Sequence, residues 1–140
     1  MIVIDTSVIY ALLDRADHLH GKAMTWYGGV DEDVATTPLV LAETDHLAAA
    51  RAGQAATRAF RRDVAAGAYL VEWWPSAAAE SAAIAERYED LGLGLTDASL
   101  VALASKLGTT RLASFDERHF RTVRPLSGGD AFLLLPFDGA

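Results

Sequence analysis

The chain begins Met1-Ile2-Val3-Ile4, and the apolar run ends abruptly at Asp5. A strand wetted on one face alternates apolar with polar residues, whereas an unbroken apolar run belongs to a strand covered on both faces, as at the centre of a parallel sheet. That one feature calls for helices on either side of the sheet. It also puts a carboxylate at the end of a buried strand, where a charge without a partner is costly.

The rest of the chain supplies the layers. Strand signals recur at Val34–Thr36, in "AYLVEWW" (68–74), in "TRLASF" (110–115) and in "AFLLLP" (131–136), the last an edge strand stopped by Pro136. Between them the spacing predicts helices over Ser7–Leu13, Leu19–Tyr27, Pro38–Arg51, Gln54–Ala66, Ser76 to about Leu91, and Asp97–Leu107. Thr37 before Pro38 reads as an N-cap followed by a first-turn proline, Thr96 as a second cap, and Gly67 and Gly108 as stops. Strands alternating with helices indicate an α/β fold, a three-layer α/β/α sandwich with a mostly parallel central sheet. At 140 residues the chain fits a single domain, 1–140, with no boundary needed.

Composition narrows the chemistry. There is no cysteine, which removes disulfides, thiol nucleophiles and Cys-ligated zinc together. No signal-peptide pattern opens the chain and no apolar run reaches membrane-spanning length, so a soluble, cytoplasmic protein is expected, with no membrane partner. The formal net charge of −7 argues against a protein that binds nucleic acid by its own positive charge.

Four acids stand where a bland surface residue would not. Asp5 ends the first strand and Asp116 follows another. Glu43 lies four residues after Leu39, three after Val40 and four before Leu47, on an apolar stripe, and Asp97 lies three, four and seven residues before Leu100, Val101 and Ala104, again on an apolar stripe. Each has an ordinary role open to it: Asp5 and Asp116 as helix caps, Asp97 as a first-turn acid, although mid-helix Glu43 has no capping role. Strand ends in an open parallel sheet share one edge, so the four could converge there and would then need a cation. An oxygen-only donor set suits Mg²⁺ or Mn²⁺, which would also supply the positive charge the chain lacks at a phosphodiester.

The segments "VIDTSVIYALL", "PLVLAETDHL", "LTDASLVALASKLG" and "LASFDERHF", in this order and spacing, resemble PIN-domain nucleases, and specifically the VapC-type toxins of bacterial toxin–antitoxin pairs. The resemblance covers nearly the whole chain. It implies that Asp5, Glu43, Asp97 and Asp116 are the acidic quartet that binds Mg²⁺ or Mn²⁺, with Ser7 and Thr6 in support. It further implies a metal-dependent endoribonuclease that hydrolyses RNA with an activated water, an antitoxin of VapB type covering the site, and a homodimer.

Other residues are less pointed. Arg51, Arg58, Arg61 and Arg62 form a cationic run, the best candidate for tracking an RNA backbone, although a solvated helix face is the commoner role. Of Trp73 and Trp74, adjacent in a strand, one belongs to the core and the other to the surface. His18, His20, His46 and His119 are scattered; His119, near Asp116, is a candidate to approach the substrate, although a structural or surface histidine is the commoner role. Among rivals, a haloacid-dehalogenase signature fails because Ser7 stands where its second aspartate belongs, and no lysine follows Lys106 as a receiver domain requires. A non-catalytic module whose acidic pocket takes a basic peptide remains the alternative.

Overall fold

The computed structural model describes residues 1–139. Five strands, β1 (Ile2–Ile4), β2 (Val34–Thr36), β3 (Leu70–Val71), β4 (Arg111–Ala113) and β5 (Leu133–Leu135), form one sheet in the order β3-β2-β1-β4-β5. Every pairing is parallel, β5 included, so the sheet is wholly rather than mostly parallel. The unalternating β1 is central as expected, with Ile2, Val3 and Ile4 all buried.

The helices are α1 (Thr6–Leu13), α2 (His20–Gly28), α3 (Pro38–Leu47), α4 (Gln54–Ala65), α5 (Ala77–Arg87), α6 (Leu95–Leu107) and α7 (Glu117–Phe120). From β1 the chain steps outward through β2 to β3, then returns past β1 to β4 and β5. Right-handed crossovers run in opposite directions therefore place α1 to α4 on one face and α5 and α6 on the other. The packing agrees: α1 lies against α2, α3 and α4, while α5 lies against α6, which backs onto β1. The reversal falls between β1 and β4, and the crevice outside their carboxyl ends is where a fold of this kind takes its ligand.

Several expected boundaries move. α3 ends at Leu47, and Ala48–Ala52 continue as a π turn closed by the Gly53 N–H on the Ala48 carbonyl. Gly53 itself has φ of 95°, a conformation a side chain would strain. α6 starts at Leu95 with Gly94 as its cap, so Asp97 sits in its first turn and Thr96 caps nothing. The long strand expected over 68–74 shrinks to Leu70–Val71, because its partner β2 is itself only three residues long. Beyond it Trp74 is half-buried and donates its ring N–H to Glu80 Oε2 at 2.7 Å, while Trp73 is exposed. α7, a single turn, has no counterpart among the expected helices.

The start of α3 is as the sequence requires. Thr37 Oγ1 accepts the Val40 N–H, and the same buried hydroxyl meets Ser99 Oγ at 2.8 Å, tying the first turn of α3 to that of α6. Thr37→Ala removes both the cap and the tie. It is expected to destabilise the chain by about 1–2 kcal/mol, read as a lower urea midpoint at unchanged slope.

Candidate metal centre

Asp5 leaves β1 and becomes the N-cap of α1. Its Oδ1 accepts from the Val8 N–H at 3.2 Å and from the Ser7 hydroxyl at 2.6 Å, and its Oδ2 accepts from the Ser114 hydroxyl. Ser7 and Ser114 also bind the loop after β4: Ser7 Oγ accepts the Phe115 N–H and Ser114 Oγ the Asp116 N–H, each at 2.9 Å. Two hydroxyls thus lock the ends of neighbouring central strands around one carboxylate. Thr6, buried on the first turn of α1, makes no hydrogen bond with its hydroxyl among the described residues.

Asp116, beyond β4, caps α7 by accepting the His119 N–H on Oδ1 at 3.2 Å. The ring of His119 then folds back over the acids. Its Nδ1 lies 3.0 Å from Asp116 Oδ2 and 3.1 Å from Asp97 Oδ2. One ligand atom from each of Asp97, Asp116 and His119 falls within 4.8 Å of the others. The capping roles open to Asp5 and Asp116 are both filled, and of the two it is Asp116 that joins this cluster.

Electrostatics ties the quartet together. Burial pushes the Asp5 carboxyl up to about 7 from an ordinary 3.8, against the lowering effect of its bonds to Ser114, Ser7 and Val8, and the charge of Asp97 adds to the rise. Asp97 is raised too, first by burial and then by the negative charges of Asp116 and Glu43, while its contact with His119 works the other way. Asp97 thus feels the charges of Asp116 and Glu43, and its own charge acts on Asp5, but among the described residues only Asp97, Asp116 and His119 bring ligand atoms within 4.8 Å of one another. Asp5 and Asp97 also lie at the N-terminal ends of α1 and α6, where the helix dipole favours anions by about 0.3–1 kcal/mol each. That is too little to offset the burial of two carboxylates.

The expectation for Glu43 needs one correction. It is exposed, and the buried stripe of α3 is Val40, Thr44 and Ala48, one residue further round. Leu39 and Leu47, which share its face, are only half-buried, so that face is the rim of the helix. Glu43 nevertheless contributes its charge at Asp97. The arginines divide. Arg61 is held by Asp45 through Nε at 2.7 Å and a second guanidinium nitrogen at 3.0 Å. Arg51, Arg58 and Arg62 are exposed and make no ion pair among the described residues.

Ser114 escapes sequence reasoning, and the sequence offers for His119 only its nearness to Asp116. Ser114 follows β4 as Ser7 follows β1, but its meaning depends on β4 lying beside β1. His119 stands three residues after Asp116, a spacing that puts both on one face of a helical turn. Clustered carboxylate oxygens with one imidazole nitrogen, where burial makes bare anions costly, are a donor set that fits a divalent cation.

Comparison with known proteins bears on this arrangement. The family model described as PIN domain matches residues 2–125. Ribonuclease VapC26 of Mycobacterium tuberculosis is 35% identical over 135 residues, which make up 96% of this chain and 99% of that protein. Among solved structures, VapC20 of Mycobacterium tuberculosis, described as a sarcin-ricin-loop-cleaving toxin, superposes with a TM-score of 0.78 at 26% identity, covering 83% of this chain and 90% of that one. FitAcB from Neisseria gonorrhoeae shares the fold, with a TM-score of 0.60 at 22% identity over 84% of this chain and 88% of that one.

Proposed function

This chain belongs to the PIN-domain family, and from that premise we propose that it is a metal-dependent endoribonuclease, the toxin of a VapBC-type toxin–antitoxin pair. The observation that carries the reading is the cluster of Asp97, Asp116 and His119, with the charge of Glu43 acting on Asp97 and that of Asp97 on Asp5, at the crevice where the chain reverses direction between β1 and β4. The relatives support the substrate class, since one is named a ribonuclease and another is described as cleaving an RNA loop.

In this reading Asp5, Asp97 and Asp116 hold Mg²⁺ or Mn²⁺, with Glu43 at the open rim completing the set or orienting a water. A divalent cation held there supplies Lewis-acid polarisation of a phosphodiester oxygen and lowers the pKa of an attacking water. The protein's own residues do the positioning. Ser7, Ser114 and the Val8 N–H fix both oxygens of Asp5, so no side-chain reorganisation is needed when substrate arrives. Half-exposed Asp116 and exposed Glu43 leave the mouth of the site accessible to a bulky backbone.

Of the cationic run, Arg51, Arg58 and Arg62 remain available to an RNA strand, whereas Arg61 is committed to Asp45. An antitoxin of VapB type covering the acids, a homodimer and a cytoplasmic setting complete the proposal. No helix among the described residues is long and apolar enough to cross a membrane.

The test uses the full-length protein freed of any antitoxin, incubated with tRNA, rRNA and mRNA in Mg²⁺, in Mn²⁺ or in EDTA. Internal cuts mapped by end sequencing should appear with either cation and vanish with the chelator. Intact RNA throughout, together with tight binding of a basic peptide, would establish the non-catalytic alternative.

A further inference from the structure

We propose that His119 is itself a ligand of the cation, so that the centre joins carboxylate oxygens to an imidazole nitrogen and prefers Mn²⁺ to Mg²⁺. The inference rests on the metal-dependent reading above and specifies which ion that site selects.

Geometry carries it. Two ligands at right angles, each about 2.1 Å from an octahedral ion, lie about 3.0 Å apart. His119 Nδ1 lies 3.0 Å from Asp116 Oδ2 and 3.1 Å from Asp97 Oδ2, the spacing of neighbouring corners on such an octahedron. One ligand atom from each of Asp97, Asp116 and His119 falls within 4.8 Å of the other two, close enough for a single ion to reach all three. An ion bound by Asp97 and Asp116 through these oxygens would have Nδ1 at its next coordination position.

The ring is also held where it is. His119 lies in the single turn of α7, its own N–H is bonded to Asp116 Oδ1, and the adjoining Phe120 is fully buried in the core. The side chain is only 18% exposed. Its backbone is thereby fixed, and in the ion-free chain its ring occupies the oxygens of Asp97 and Asp116 that an ion would need.

An imidazole ligates through Nδ1 when its ring proton is carried on Nε2. A nitrogen donor adds little for Mg²⁺, which is served by carboxylate and water oxygens, but it strengthens binding of first-row transition ions. The expected consequence is selectivity for Mn²⁺.

Pulsed electron paramagnetic resonance of the full chain, stripped with chelator and reloaded with Mn²⁺, reads directly bound ¹⁴N. The nitrogen modulation should be present in the natural protein, disappear in His119→Gln, and persist when His18, His20 and His46 are all replaced by Gln. This last variant keeps the test decisive if His119→Gln does not fold. In competition titrations, the excess of Mg²⁺ needed to displace Mn²⁺ should fall about tenfold in His119→Gln. Bound Mn²⁺ with oxygen-only coordination, or a nitrogen signal that survives His119→Gln, overturns the ligand role and leaves the metal centre standing. If only free aqueous Mn²⁺ is detected, both this inference and the metal-dependent reading fail.

Discussion

Asp5→Asn is expected to lower RNA cleavage by about a thousandfold or more and to abolish growth inhibition, while the protein stays folded. The substitution keeps the size and shape of the side chain. Asn Oδ1 can still accept from the Val8 N–H and the Ser7 hydroxyl, so the N-cap of α1 survives. The amide nitrogen would face Ser114 Oγ, whose hydroxyl can turn to accept from it while continuing to accept the Asp116 N–H. What is lost is the negative charge most deeply buried in the centre. Cleavage of a defined RNA at saturating Mn²⁺, with circular dichroism as the check on folding, measures the effect. A variant equally active and equally toxic would remove Asp5 from the proposed machinery.

The second large effect is on stability. Without a divalent cation, the chain should be more stable at pH 5 than at pH 8, the reverse of ordinary acid denaturation. The folded Asp5 takes up its proton near pH 7, the unfolded one near 3.8. Across that interval the folded state binds more protons, so stability falls as pH rises from about 4 and the loss is complete above about 7. For Asp5 alone the whole swing is on the order of 4 kcal/mol, of which roughly 2–3 kcal/mol falls between pH 5 and pH 8, and Asp97 shifts in the same direction. The exposed pairs Arg61–Asp45 and Arg121–Asp138 contain carboxylates lowered by their arginines, and their contribution is lost only below the ordinary carboxylate range.

Melting temperatures at pH 5 and pH 8, each with EDTA or with Mn²⁺, measure the swing. Mn²⁺ should raise the melting temperature strongly at pH 8 and little at pH 5. Asp5→Asn should flatten the pH dependence in EDTA. A chain whose stability rises steadily from pH 5 to pH 8 in EDTA would contradict the burial of a charged Asp5.

Much of this centre could be read from the chain because single residues broke local rules. Asp5 interrupts a buried strand, and Thr37-Pro38 announces the helix that carries Glu43. What stayed hidden depends on neighbours distant in sequence. Ser114 matters because β4 lies against β1, and no periodicity within residues 110–115 reveals that neighbour. Leu39, Val40 and Leu47 all stand at helical spacing from Glu43, but the surface that this helix buries is chosen by what it packs on, and that surface takes Val40 and Thr44, with Ala48 just beyond, and leaves Leu39, Glu43 and Leu47 at its rim. The β-like composition of 68–74 gave way to the length of β2, because an edge strand can pair only as far as its partner extends. His119 looked ordinary because a histidine in a short turn carries no pattern of its own.

The bond between Ser114 and Asp5 spans 109 residues of sequence. Contacts of such separation form late, since closing a long loop costs entropy that only the finished sheet returns. A chain growing from the ribosome carries Asp5 and Glu43 early, yet has no place to gather them until β4 slots in beside β1. An RNA-cutting toxin built on this plan is harmless as a fragment, and its activity arrives with the closing steps of its own folding.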